Sequence, residues 1–463
     1  MREKGKTEGT GRTLIREIIK RDRAKIHFVG VGGVSMYSLA RLSVEKGLCV
    51  SGSDREDSPR LVELQLLGVR ISIGHNADNV AFADLVVYSH AIADDNPELC
   101  EARKRNIPIV TRAEYLGTLM LDYKHRIGVS GSHGKSTAVA MLDCIFSHAM
   151  MTPTTLSGSD LPIGEPYRIG GNSLLIYEAC EYRDSFLSFS PTDFVGLNLE
   201  LDHTDYYDSL DSIKASFTRA MSHPGATVFI NSDDANLKEI AGNIDGRLIT
   251  FGTREGCDYL FSPVGFTEGG MMFSLSRFGS SVGSFELNIP GVHNLNNAAA
   301  AITVAVEYGL SPDLISYALS LFRGIPRRME YIGSRLGRPI YYDYAHHPTE
   351  ICAAINTLRS ITDGRITVIF KPHTYTRTAA MWRDFCEALS LADYSIITDI
   401  FPAREEPISG ITAENLARDI GRRASYCPEN EIFNYLDLYT DGAIVLMGAG
   451  DYGKIRYSIV KGK

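Results

Sequence analysis

The sequence predicts an α/β protein built as three domains in series, and three observations predict it. Its 463 residues exceed what one core usually organises and suggest about three domains. Short apolar strands alternate with amphipathic helices along most of the chain, the pattern of doubly wound parallel sheets. Two of those strands run through a glycine-rich turn directly into a helix, at GVGGVSM and at GSHGKST. Hydrophobic residues make up 44% and charged residues 22%, enough apolar material for packed cores and no compositional ground for general disorder.

Residues 1–24 read as a flexible basic leader, because Gly and Thr are scattered early and basic side chains outnumber acidic ones. The first domain, 25–122, is expected to be Rossmann-like. It opens on the strand KIHFVG, passes through a helix from about Val34 to Lys46, then LCVSGS, a helix ending near Leu67, VRISI and DLVVYS. The central domain, 123–323, reads as P-loop ATPase-like: the strand RIGVS enters GSHGKST, a helix runs to about Ala149, and the strands LLIYEA and DFVGLNL follow. Between Asp258 and Pro290 short alternating stretches rich in Gly and Ser predict a small antiparallel patch beside the parallel sheet, followed by an Ala-rich helix from about Leu295 to Tyr308. GIPRRME reads as a connector, since Gly and Pro interrupt helical periodicity. The C-terminal domain, 324–463, is again Rossmann-like. Its elements are RPIYYDY, ITVIFKP, a helix near Ala379 to Leu389, YSIITDI, and AIVLMGAG followed by a short helix.

The net charge of −9 argues against a dedicated nucleic-acid or anionic-membrane binder and for small-molecule partners. Eight scattered cysteines without a C-x-x-C pair read as reduced thiols in a cytoplasmic protein. There is no uninterrupted apolar run of 18 residues, and the first 25 residues are too polar for a signal peptide.

The strongest local chemistry lies in RIGVSGSHGKSTAVAML. Gly131 and Gly134 let backbone N–H groups approach anionic oxygens, the helix N-terminus adds positive dipole, and Lys135 adds a point charge. The spacing is G-x-x-G-K-S-T, shorter than the usual Walker pattern, and Ser136 or Thr137 offers a hydroxyl to Mg²⁺. Two strand ends downstream carry cation-ligand candidates, Glu178 after LLIYEA and Asp202 with His203 after DFVGLNL. In the first domain GVGGVSM with Asp54 at the next strand end supports a pyrophosphate, but Ser35 stands at the third glycine position, so NAD is not specified. DYAHHPTE and FKPHTYTRT sit at strand ends of the third domain. Adjacent His346 and His347 point different ways on a turn, so one faces a ligand while the other caps or packs. Arg377 beside His373 offers a charged fork for carboxylate or phosphate.

Read together and in order, GVGGVSM, YSHAIADDNP, GSHGKST, EACEYRDSF, LNLELDH, GVHNLNNAAAA, PRRME, DYAHHPTE, FKPHTYTRT and MGAGDYGKI resemble the Mur ligase family of ATP-dependent amide ligases. The resemblance implies an enzyme of peptidoglycan precursor synthesis that uses ATP and Mg²⁺, or Mn²⁺, to join L-alanine to the lactyl carboxylate of UDP-N-acetylmuramate. It places the UDP-sugar on Gly30, Gly32, Gly33, Asp54, Ser89, Ala91 and Ile92. ATP would lie on Gly131, Ser132, His133, Gly134, Lys135, Ser136, Thr137, His293, Asn294, Asn297 and Arg328, with the metal on Ser136, Glu178 and His203. Tyr344, His346 and Arg377 would line the amino-acid site, and Lys135, His203, His346 and Arg377 would carry catalysis. The alternatives are a recycling ligase that adds a tripeptide to the same sugar and a nucleotide-binding regulator without catalysis. An NAD-dependent oxidoreductase would explain GVGGVSM and leave GSHGKST without a role.

Overall fold

The computed structural model describes residues 4–267, 269–403, 405–433, 441–450, 452 and 455–456. It holds three sheets in series. The first contains β1 (Lys25–Val29), β2 (Cys49–Asp54), β3 (Arg70–Ile73), β4 (Leu85–Tyr88) and β5 (Ile109–Thr111), all parallel and in the order β3-β2-β1-β4-β5. Chain order reverses beside β1, so the loops after β1 and β4 open a crevice at the carboxyl edge, where open α/β sheets bind ligands. Those loops carry Gly30 and Ser89.

The second sheet contains β6 (His125–Ser130), β7 (Thr154–Leu156), β8 (Tyr167–Arg168), β9 (Leu174–Glu178), β10 (Asp193–Gly196), β11 (Thr227–Asn231), β12 (Arg247–Gly252), β13 (Tyr259–Thr267), β14 (Gly270–Arg277) and β15 (Ser280–Leu287). Their order is β15-β14-β13-β12-β11-β10-β6-β9-β7-β8. The strand entering the phosphate loop, β6, is flanked in parallel by β10 and β9, so the loops bearing Asp202 and Glu178 are its neighbours. The expected antiparallel patch is the meander β13-β14-β15, which extends the parallel sheet at one edge. Helices Lys135–His148 and Val292–Glu307 cover one face of this sheet with buried Ala, Leu, Ile and Val.

The third sheet holds β16 (Glu330–Arg335), β17 (Arg338–Asp343), β18 (Ile366–Phe370), β19 (Tyr394–Ile397), β20 (Ala424–Tyr426) and β21 (Ala443–Met447), in the order β16-β17-β21-β18-β19-β20 with only β16 antiparallel. The continuous apolar runs of β18 and β21 are fully buried, as a parallel strand covered on both faces requires. Gly324, with φ +90°, leads into this domain through Pro326. The helix expected near Ala379–Leu389 is two helices, Tyr375–Ala380 and Trp382–Leu389, broken at Met381 (φ −113°). The short helix expected after Gly450 falls mostly outside the described residues.

The expected flexible leader is corrected by the structure. Helix Lys4–Ile19 occupies it, Ile15 and Ile18 are buried in the first core, and Arg12 reaches the central domain, donating to Ser188 O at 2.6 Å and Ser190 Oγ at 3.0 Å. Apolar residues three apart give the helix a stripe that composition alone concealed. Among the described residues no helix is long and apolar enough to cross a membrane.

The same Ser188 carbonyl packs against Gly117 in helix Arg112–Leu119, where an added Cβ would collide with it. Ala ordinarily improves a helix interior over Gly by up to about 1 kcal/mol. Here overpacking of about 1–3 kcal/mol opposes it. Gly117→Ala is therefore expected to lower the denaturant midpoint, and an unchanged or raised midpoint would show that the seam between the two domains yields.

Candidate active site

The phosphate loop is built by backbone that only glycine adopts easily. Gly131 has φ +143° and Gly134 has φ +85°. A side chain at Gly134 would also strike Asn297 Oδ1 from the helix on the opposite wall. Gly134 caps helix Lys135–His148, so the N-terminal N–H groups face the loop. Asn198, at the end of β10, accepts from His133 N at 2.8 Å and donates to His133 O at 3.0 Å, fixing the loop to the next strand.

Lys135 lies at the loop's centre. Its Nζ contacts Glu181 Oε1 and Oε2 at 3.0 and 3.1 Å and donates to the carbonyls of Gly131 and Ser132. Burial alone would pull its pKa down, but the Glu181 carboxylate reverses that and raises it. Glu181 is fully buried, and Lys135 and His203 hold its carboxyl below the usual range against the desolvation that opposes them. His203 Nε2 lies 3.7 Å from the same carboxylate. Glu181 was not singled out from the sequence, although it lies within EACEYRDSF. Lone acids in a motif carry no sign of which one turns inward.

Ser136, Glu178 and His203 line one cavity with Lys135, Tyr344 and His346. Glu178 accepts from Ser157 Oγ at 3.0 Å and from Gly158 N at 2.6 Å, while Ser159 Oγ donates to Ser136 Oγ at 3.3 Å. Hydroxyl, carboxylate and imidazole are donors that suit a hard divalent cation beside phosphate oxygens.

His203 also lines a second cavity with His373 and Arg377. Arg377 donates to Asp202 Oδ1 at 3.1 Å and lies 3.3 Å from His373 Nδ1. Burial pushes the Asp202 carboxyl up, but His203 and Arg377 pull it well below the carboxylate range. Burial, aided by Arg377, holds His373 at about 4, and burial holds His346 at about 4, so both are neutral imidazoles near pH 7. Ring contacts link Tyr344 to His346 at 5.2 Å and His346 to His373 at 5.9 Å, and Arg377 joins this row of rings through His373. The other histidine of the pair, His347, caps helix Pro348–Ile361 by accepting from Thr349 N.

His293, Asn294, Asn297 and Arg328 line a narrower cavity together with His133, Gly134 and Thr137. The C-terminal domain supplies Asp343 and Glu350 to its far wall, neither singled out from the sequence. Burial raises the Asp343 carboxyl to about 6 although Arg328 opposes it. His133, Glu200 and His347 bring three potential ligand atoms within 4.8 Å. His133 is already held between Glu200 at 3.4 Å and Glu350 at 3.3 Å, and although burial disfavours its charge those carboxylates raise it to about 9. With His347 Nδ1 3.9 Å from Glu200, these groups form an ionic contact between the central and C-terminal domains.

A raised histidine stabilises fully below its ordinary pKa of 6.5, and the contribution is lost as pH climbs through about 9. Melting temperature is accordingly expected to fall between pH 6.5 and 9 more steeply in the wild type than in His133→Gln. Parallel curves would show that the contact adds nothing.

A cavity of about 1120 Å³ opens at the crevice of the first sheet and is lined by Gly30, Gly32, Gly33, Asp54, Ser89, Ala91 and Ile92. Asp54 accepts from Gly32 N at 2.8 Å and from Arg55 N at 2.8 Å, so its carboxylate shapes the glycine loop. This cavity meets the phosphate-loop cavity at Val34 and Cys180, which line both.

Three family-level sequence profiles match the chain in the order of its domains. They are the Mur ligase family catalytic domain over residues 25–124, the Mur ligase middle domain over 129–305, and the Mur ligase glutamate ligase domain over 327–450. The chain belongs to the Mur ligase family. Among the Mur ligases it resembles, a UDP-N-acetylmuramate--L-alanine ligase from Caldicellulosiruptor bescii is 38% identical over 447 residues, covering 94% of this chain and 98% of that protein. One of the same description from Alkaliphilus metalliredigens is 40% identical over 435 residues, covering 92% and 95%. The crystal structure of a UDP-N-acetylmuramate-alanine ligase from Thermotoga maritima superposes with a TM-score of 0.80 at 28% identity, covering 94% of this chain and 98% of that one. A murein peptide ligase structure from Psychrobacter arcticus, at 22% identity and a TM-score of 0.71, shares the Mur ligase fold.

Proposed function

We propose that the chain joins L-alanine to the lactyl carboxylate of UDP-N-acetylmuramate at the expense of ATP. The observation that carries this reading is the continuity of the cavities. The glycine cradle of the first domain reaches the phosphate loop through Val34 and Cys180, and the phosphate loop reaches Arg377 through His203. A sugar nucleotide, a triphosphate and an amine can therefore meet in one place, which is the proximity a three-substrate ligation needs.

A carboxylate is a poor electrophile, and transfer of the γ-phosphoryl group makes it an acyl phosphate with ADP as the departing product. The phosphate loop and Lys135 hold the triphosphate, with Lys135 exchanging Glu181 for phosphate oxygens. Mg²⁺, or Mn²⁺, held by Ser136, Glu178 and His203 would neutralise charge on the transferring group. The neutral amine then attacks the acyl carbon to form the C–N bond, its extra proton passes to water or the departing phosphate, and the acyl C–O bond breaks to release inorganic phosphate. Arg377 stabilises the anionic tetrahedral species, while neutral His346 and His373 offer the amine hydrogen bonds without repelling it. His293, Asn294, Asn297 and Arg328 position the nucleotide, and closure of the C-terminal domain excludes the water that would hydrolyse the acyl phosphate. No protein nucleophile is needed. Cys180, the thiol nearest the junction, is pushed by burial up to about 11 and stays protonated.

Phosphate release from ATP and Mg²⁺ with UDP-N-acetylmuramate tests this when L-alanine, glycine, L-serine and an L-Ala-D-Glu-diamino-acid tripeptide are compared. Release that requires both the sugar and L-alanine is expected. Release with the tripeptide alone would move the chain to recycling, and no release with the sugar nucleotide still bound would leave only a binding protein.

A further inference from the structure

One cation at the junction of the cavities has no task in the account above. Arg112 follows β5 as the first residue of helix Arg112–Leu119, whose cap is Thr111 with Glu114 closing the box. Arg112 lines the large cavity together with Gly30, His90 and Cys180. Among the described residues it makes no hydrogen bond or ion pair, whereas four other cations around the junction have partners. Lys135 is paired with Glu181, Arg328 with Glu350, and Arg377 with Asp202. Arg327 donates to the Ala449 and Gly450 carbonyls.

The position itself is unfavourable for a cation. A positive side chain in the first turn of a helix opposes the macrodipole, so Arg112 adds nothing to the helix it begins. Desolvation is the main influence on its guanidinium, and the groups that counter it, Cys180 and Glu178, belong to the central domain. A shielded arginine without a partner, facing a cavity, is a fork awaiting a planar anion.

Resting on the ligase reading, we infer that Arg112 receives the lactyl carboxylate of the sugar nucleotide and holds it beside the phosphate loop. The diphosphate already has its cradle, in the glycine loop and the N-terminus of helix Val34–Glu45. Arg112 stands on the opposite side of the crevice, beyond β4 in the sheet order, where the cavity turns toward Cys180 and Glu178. The group to be phosphorylated must lie there, and as an anion approaching both a carboxylate and a triphosphate it requires a positive partner of its own.

Calorimetric titration with two ligands tests this. UDP-N-acetylmuramate and UDP-N-acetylglucosamine share uridine, diphosphate and amino sugar, and only the first carries the lactyl carboxylate. Arg112→Gln is expected to weaken the carboxylate ligand by about ten- to a hundredfold, as loss of a charged hydrogen bond does, and to leave the other within about threefold. Arg112→Lys, which keeps the charge and loses the fork, should fall between wild type and Arg112→Gln on the first ligand only, and it reads the same contrast if Arg112→Gln fails to fold. Equal losses on both ligands, or none on either, would overturn the assignment. Failure of the wild type to bind either sugar nucleotide would instead sink the ligase reading.

Discussion

Lys135→Ala is expected to reduce ligation by about 10³-fold or more, the scale on which preorganised charge at a transferring group acts, while UDP-sugar affinity stays within about threefold. The separation follows from the architecture. Lys135 belongs to the helix after β6, and the cradle proposed for the sugar nucleotide belongs to the first sheet. One complication is physical: the substitution strands Glu181, whose side chain is fully buried and whose ion pair is Lys135. Removing one partner of a buried pair typically costs about 3–5 kcal/mol, so the single variant should also melt earlier. Lys135→Ala/Glu181→Gln should recover much of the melting temperature and none of the turnover. If turnover returned with stability, Lys135 would be structural. If sugar binding fell as far as turnover in a folded variant, the division of labour between the two domains would be wrong.

Arg377→Ala is expected to cost about 3 kcal/mol of transition-state stabilisation, or roughly 10²-fold in turnover. It should also change the pH profile in a direction that geometry fixes. Burial and Arg377 together hold His373 at about 4, so removing the guanidinium lets the imidazole rise toward 6.5, and Asp202 loses one of the charges that depress it. Activity remaining in the variant should therefore fall on the acid side at a higher pH than in the wild type. A normal rate with an unmoved acid limb would take Arg377 out of the site.

The parts of the site legible in the sequence are those whose chemistry is local. GSHGKST reads as a phosphate loop because strand, glycines, lysine and helix start are contiguous, and the structure places strand, positive-φ glycines and helix start in that order. The three-domain α/β architecture was legible for the same reason, since each strand and helix carries its own periodicity. What the sequence concealed depends on distant pairs. Glu181 matters because it lies under Lys135, Glu350 because it meets His133 across a domain boundary, and the role proposed for Arg112 rests on its having no hydrogen bond or ion pair among the described residues. None of these relations has a spacing to read. The leader helix was missed for another reason: Ile15 and Ile18 form its apolar stripe amid basic residues, and overall polarity outweighed periodicity.

The narrow cavity proposed for the nucleotide takes one wall from the central domain and the other from Arg328, Asp343 and Glu350 of the C-terminal domain, with Gly324 on the connector between them. A ligand gripped by both walls binds only the molecules whose walls stand together, so its apparent dissociation constant is the intrinsic one divided by the fraction already assembled. A substitution that stiffens or loosens the turn at Gly324 would thus change how much ATP is needed for half-saturation without touching a nucleotide atom. On the proposed assignment, the connector sets the concentration of fuel at which the enzyme runs.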